Sequence, residues 1–281
     1  MNLLDPHRKI LETRDFTVSN EIFDLYANAN ENILITQPQP ALDKLPNYYS
    51  SEDYISHTDA SFSVFDKLYQ MVKRYMLKKK AKWIENLNLS GNRILDIGAG
   101  TGSFLQFMST RGWDIDGVEP NQKARALAND KGIKLQNDLS AIKRQFDVIS
   151  LWHVLEHLPA LPEQLEQIKK LLHKNGKLVI AVPNYTSYDA QFYQSFWAAY
   201  DVPRHLWHFS PDGLISLLKQ FDLKLVKIHP LKFDAYYVSW LSEKNRTTKN
   251  PFKAFWVATK SNYKAKRTNA YSSLVYIFES I

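Results

Sequence analysis

Residues 93–102 constrain this chain more than any other stretch. The apolar run RILDI gives way at once to Gly98-Ala99-Gly100-Thr101-Gly102, and a helical pattern starts at Ser103. A strand, a glycine turn and a helix N-terminus bring backbone close to a ligand and aim N–H groups at it. A dinucleotide turn would read G-x-G-x-x-G; here the third glycine comes one position early, and an acid, Asp96, stands two residues before the first. No Gly-Lys-Ser/Thr follows, so the turn is not a P-loop. The next apolar run, WDIDGV, ends at Val118 and is followed by Glu119, 23 positions beyond Asp96. A carboxylate at the tip of the neighbouring strand can accept both hydroxyls of a ribose lying across the sheet edge.

The strand-turn-helix pattern then repeats. Strands are expected at 93–97, 113–118, 133–136, 146–151 and 178–182, with helices at 103–111, 122–131 and 162–173 between them. Farther on, 211–221 reads as a helix and 223–228 and 272–278 as the last strands, with the aromatic-rich 234–245 and a basic stretch inserted between them. An antiparallel hairpin at the sheet edge fits that ending. Alternation of this kind means a mostly parallel sheet covered on both faces. The fold expected is α/β: a doubly wound, mostly parallel, seven-stranded, Rossmann-like sheet over 92–281, preceded by a small N-terminal lobe (1–45) and a helical lid (46–91). Within the lid, Phe62, Phe65, Leu68, Tyr69, Val72, Tyr75, Met76 and Ile84 recur at helical spacing.

Composition narrows the function classes. There is no cysteine, which removes disulfides, thiolate nucleophiles and Cys-ligated zinc. No run approaches the roughly 18–20 apolar residues that span a bilayer, and the charged opening lacks a signal peptide's apolar stretch; a cytoplasmic protein is expected. The net charge of +7 is concentrated in two runs: residues 67–82 hold seven Lys/Arg and no acid, and 244–267 hold eight and no acid. Such runs are ordinarily solvated faces, and alternatively a surface for an anionic partner such as RNA, an acidic carrier or a membrane.

With these residues in place, the sequence resembles the class I S-adenosylmethionine-dependent methyltransferases over about 92–281. LDIGAGTG (95–102), VEPN (118–121) and FDVISLWHVLEHL (146–158) are similar to motifs of that superfamily. VPN (182–184) and PRHLWHFSP (203–211) resemble the branch that includes the ubiquinone-biosynthesis O-methyltransferases. The resemblance implies S-adenosyl-L-methionine as cofactor and assigns roles. Gly98, Gly100 and Gly102 would pass under the methionine part, with Asp96 near its amino group. Glu119 would hold the ribose hydroxyls with Pro120 beside the adenine; Asp138 would meet the adenine amino group, Leu139 would pack on the ring, and Trp152 would lie near the reacting centre.

Methyl transfer is an in-line displacement, so the protein mainly aligns a nucleophile with the methyl group. A base helps only where the nucleophile must lose a proton. His153 and His205 are the catalytic candidates, with His157 and His208 close by in sequence. In the quinone-methylating relatives, Glu-x-x-Glu-His is associated with a divalent metal; here His153 replaces the first acid, and no metal is assigned. Glu156 and His157 are equally read as capping the helix after the fourth strand, and His205 and His208 as pinning the loop 201–211. Tyr48, Tyr49, Tyr54 and His57 form a polar aromatic patch placed as a lid. The acceptor expected is a small or carrier-bound metabolite methylated at oxygen. An RNA methyltransferase is the first alternative, although the Asn/Asp-Pro-Pro-aromatic arrangement that holds a flipped base is absent; a non-catalytic cofactor-binding scaffold is the second.

Overall fold

The computed structural model describes residues 3–49 and 64–281. Its central sheet has the order β5-β4-β6-β7-β10-β9. The strands are β4 (Arg93–Ile97), β5 (Asp114–Val118), β6 (Phe146–Trp152), β7 (Leu172–Pro183), β9 (Leu223–Pro230) and β10 (Ser273–Ser280). β5, β4, β6 and β7 run parallel, and β10 enters antiparallel between β7 and β9. The strand at the centre of this sheet, β6, is buried along nearly its whole length, as a strand covered on both faces must be.

Among the described residues the central sheet has six strands where seven were expected. The stretch 133–136 contributes one parallel bridge, Val118 to Gln136, secured by Glu119 N–H to Gln136 O and Gln136 N–H to Gly117 O, each 2.9 Å. Only four residues separate the glycine turn at Gly132 from the polar Asn137-Asp138. Asp138 then accepts from Ser140 N–H and starts a helical turn at Leu139–Ala141, so the ladder ends before it lengthens.

Helices cover the sheet: α1 (Val64–Glu85), α2 (Ser103–Ser109), α3 (Gln122–Asn129), α4 (Leu161–Leu171), the short α5 (Tyr188–Tyr193) and α6 (Pro211–Lys219). The insertion between β9 and β10 is a helix pair, α7 (Asp234–Asn245) and α8 (Pro251–Thr268); β9 and β10 still pair antiparallel around it. The helical spacing read over 46–91 is α1, while Tyr54, His57 and Phe62 lie outside the described residues.

The N-terminal strands β1 (Arg8–Arg14), β2 (Ile22–Ala27) and β3 (Ile33–Gln37) form an antiparallel sheet whose fourth strand is β8 (Trp207–Phe209). Ile33 and Ile35 of β3 therefore share one core with Leu151 and Ile180 of the central sheet and Leu155 just beyond β6. The packing at this junction is tight. A Cβ on Gly213, at the start of α6, would lie 2.0 Å from the Asn32 carbonyl oxygen, and the adjacent Ser210 hydroxyl donates to that same oxygen at 2.8 Å. Gly213→Ala is expected to destabilise the protein by about 2–3 kcal/mol through overpacking, read as a lowered Tm; an unchanged Tm would mean the two sheets are not locked here.

Candidate active site

The glycine turn connects β4 to α2 with φ of +70, +54 and +71 at Gly98, Gly100 and Gly102. A side chain on Gly98 would strike Val154, whereas nothing lies within 4 Å of the position a Cβ on Gly100 would take. The loop thus leaves open space above Gly100. Glu119, at the end of β5, is buried beside it: Oε2 accepts from Gly100 N–H and Oε1 from Asn121 N–H, both at 2.8 Å. Asp96 is buried at the tip of β4 and accepts the Ser150 hydroxyl at 2.6 Å; burial pushes its carboxyl up to about 7. Trp152 ends β6, edge-on to Phe104 at 5.5 Å. Its indole N–H is buried with no hydrogen-bond partner among the described residues.

Lys80 is a residue that the sequence does not single out. It extends from α1 to place its ammonium 4.2 Å from the Trp152 ring centroid. Burial lowers its pKa, and the charges of Asp96 and Asp234 oppose that shift. The signal was present in the basic run: at four-residue spacing Val72, Met76, Lys80 and Ile84 share a helix face, so Lys80 interrupts an apolar stripe. Of the remaining sequence candidates, Asp138 is exposed and caps its own turn. Leu139 is buried in the core beside that turn, and Pro120 is exposed.

The acceptor side begins where β6 ends. His153 has φ +58, in the left-handed region that residues with a Cβ disfavour. Its Nε2 lies 3.1 Å from Asp234 of α7 and its Nδ1 3.4 Å from Glu156. Burial works against its charge, but the two carboxylates outweigh it and raise the imidazole to about 9. Both ring nitrogens of His153 thus face carboxylates at the end of β6.

Glu156, His157 and His205 come together instead, with ligand atoms all within 4.8 Å of one another. Glu156 is fully buried, and neither carboxylate oxygen accepts a hydrogen bond from any described residue. His157 Nδ1 lies 3.0 Å from the Arg204 carbonyl and 3.0 Å from the Tyr49 hydroxyl. His205 Nδ1 lies 2.9 Å from the Ala199 carbonyl. A carbonyl only accepts, so each Nδ1 bears the hydrogen and, on the neutral ring, the lone pair is on Nε2. The two rings meet edge-on with centroids 4.4 Å apart. His208 stands aside: the Thr36 hydroxyl donates to the His205 carbonyl at 2.7 Å, leaving its oxygen to accept from His208 Nε2 at 3.0 Å. One carboxylate and two imidazole nitrogens, each ring fixed by a carbonyl behind it, form a donor set that suits a divalent cation.

The model of the methyltransferase domain family matches residues 69–228, more than half of the chain. A ubiquinone biosynthesis O-methyltransferase of Pelagibacter ubique is 27% identical over 60% of this chain and 75% of its own length. The enzyme of that name from Aeromonas salmonicida is 33% identical over 36% of this chain and 48% of its own. The chain thus spans three quarters of one of these relatives and about half of the other. Magnesium protoporphyrin IX methyltransferase from Synechocystis PCC 6803, solved with bound SAH, superposes with a TM-score of 0.57 at 13% identity, covering 86% of this chain and all of that one. Cyclopropane synthase MmaA2 from Mycobacterium tuberculosis gives 0.52 at 13%, covering 86% and 99%; these two likenesses show the fold. The chain belongs to the methyltransferase domain family. Its cofactor is S-adenosylmethionine.

Replacing Glu119 with Ala removes the acceptor of the two ribose hydroxyls assigned to it. At about 0.5–1.5 kcal/mol per hydrogen bond, titration calorimetry with S-adenosylhomocysteine should show affinity weakened by roughly 5- to 150-fold. An unchanged Kd would place the ribose elsewhere.

Proposed function

We propose that this methyltransferase modifies an oxygen of a small or carrier-bound metabolite, and that the acceptor is engaged beside Glu156, His157 and His205. The observation that carries this reading is Glu156, a fully buried carboxylate whose two oxygens find no hydrogen-bond donor among the described residues and face two imidazoles that are oriented from behind. Glu156 has an ion-pair partner in His153 at 3.4 Å, but a buried carboxylate short of hydrogen-bond donors is costly, and a bound group that supplies what is missing supports this reading. The ubiquinone biosynthesis relatives are named as O-methyltransferases, which supports oxygen as the atom methylated.

S-adenosylmethionine supplies an electrophilic methyl on a sulfonium. The rest is positioning by this chain's residues. Glu119 and the glycine turn hold the nucleoside end, as the resemblance assigns them. Lys80, over Trp152 and near Asp96, offers its ammonium to the carboxylate of the methionine end. Tyr49 and the loop 201–210 pack against His157 and His205 and fix their rings. Glu156, His157 and His205 would hold a divalent cation, which would supply a Lewis acid for the acceptor oxygen. His153, between Glu156 and Asp234, ties the end of β6 to α7.

Titration calorimetry with S-adenosylmethionine and S-adenosylhomocysteine, with NAD as control, is expected to show binding of the first two alone. On the acceptor side, Mn²⁺ or Zn²⁺ should bind the wild-type protein. Glu156→Gln should weaken that binding by at least about tenfold, as loss of a ligand does, and abolish turnover while the Kd for S-adenosylhomocysteine stays unchanged. If no cation binds and His205→Ala alone abolishes turnover with cofactor affinity intact, His205 Nε2 is the general base and the cation reading is overturned.

A further inference from the structure

The insertion between β9 and β10 has a second face. On α8 the inward positions are small and buried: Ala254, Val257, Ala258, Ser261 and Ala265. The large side chains point the other way. Phe252 is 85% exposed, Phe255 64%, Trp256 51% and Tyr263 63%. At 100° per residue these four fall within one arc of about 100° opposite the buried stripe. An amphipathic helix whose outer face is the aromatic one has no rationale in folding, because exposed rings of this size stabilise nothing until something covers them.

The charge on the same helix says what covers them. Among its 18 residues, Lys253, Lys260, Lys264, Lys266 and Arg267 are basic and none is acidic. The lysines lie level with the rings: Lys260 Nζ is 4.5 Å from the Trp256 ring centroid and Lys266 Nζ 5.8 Å from that of Tyr263. The aromatic surface continues onto α7, where the Tyr236 ring lies 5.4 Å from that of Phe255. Exposed phenylalanine, tryptophan and tyrosine rings with lysines beside them are the composition of an interfacial helix, with rings at the acyl boundary and cations at the headgroups. No helix among the described residues is long and apolar enough to cross a membrane.

We propose that the outward face of α8 docks the protein onto the surface of a bilayer containing anionic lipid, with Phe252, Phe255 and Trp256 entering the interface and the lysines meeting the headgroups. Single-stranded nucleic acid, the competing anionic partner, is bound in a basic groove with bases stacked on its aromatic floor; α8 offers a convex helix with rings projecting outward. None of these residues belongs to the site described above, so docking and methyl transfer stand or fall separately.

The test is co-sedimentation of the full chain with vesicles of phosphatidylcholine alone or with about a third phosphatidylglycerol, at low and high salt. Binding to the anionic vesicles, weak binding to the neutral ones and a decline with salt are expected. The double variant Phe252→Ser/Trp256→Ser and, independently, Lys260→Glu/Lys264→Glu should each reduce vesicle binding at least about tenfold, while Tm and the Kd for S-adenosylhomocysteine stay at wild-type values. No binding of the wild-type protein to anionic vesicles overturns the proposal, as does equal binding by both variants. Binding to a single-stranded RNA oligonucleotide without binding to vesicles would assign the face to nucleic acid instead.

Discussion

Arg204 is the constraint on which the acceptor side depends. It is fully buried, a position an arginine occupies only when paired. Its guanidinium donates to Asp201 through Nε and Nη2, to Asp15 through Nη2 at 2.8 Å, and to the Tyr48 carbonyl through Nη1 at 3.0 Å. Asp15 in turn accepts the N–H groups of Thr17, Val18 and Ser19 just after β1. Burial acts against the charge of Arg204, and the two carboxylates raise its pKa in spite of it. One side chain thereby gathers the end of β1, the segment bearing Tyr49 and the loop bearing His205. Its carbonyl accepts from His157 Nδ1 and so sets which nitrogen of that ring carries a lone pair. Stability and active-site chemistry meet in a single residue.

The two halves of the site are built by different physics. On the cofactor side, backbone does the work: three glycines in the left-handed region keep side chains out, and one carboxylate orders the turn through an N–H. On the acceptor side, charged and polar side chains are held at low exposure by carbonyls and ion pairs. The cofactor half can therefore be encoded in a short local motif, whereas the acceptor half needs four separate segments of chain: β1, the Tyr48–Tyr49 turn, the end of β6 and the loop before β8.

That difference decides what the sequence reveals. The glycine turn, Glu119 and the strand-helix alternation are local patterns, and each falls where the sequence places it. The loop-pin role considered for His205 and His208 has counterparts in the bonds to Ala199 O and the Thr36 hydroxyl. The pairing of Arg204 with Asp15 joins residues 189 positions apart, and nothing near either residue announces the other. The same holds for His153 and Asp234, which meet only because α7 folds back over the end of β6. With Asp234 unseen, His153 reads as a base; with it in place, the imidazole has a carboxylate on either side. β8 was missed for a related reason: three residues of Trp-His-Phe make a strand only because β3 lies beside them. At 133–136 the error runs the other way, since an apolar pattern was present but too short to extend a ladder past one bridge.

The insertion α7–α8 shows why its outward rings are not misplaced core. Its inner face is fixed by Asp189, fully buried in α5, which accepts from Trp197 Nε1, the Ser261 hydroxyl and the Ser272 hydroxyl. Ser242 binds the Ala198 N–H at 2.9 Å. These short polar contacts require α8 to approach α5 and α7 closely, which only small residues permit. Inverting the helix to bury Phe252, Phe255 and Trp256 would break the Asp189 cluster and leave a buried carboxylate short of a donor. The aromatic face is thus held outward by the same bonds that seat the insertion, and α7 carries Asp234 to His153 from that seat. The surface that faces outward and the carboxylate beside His153 are parts of one helix pair.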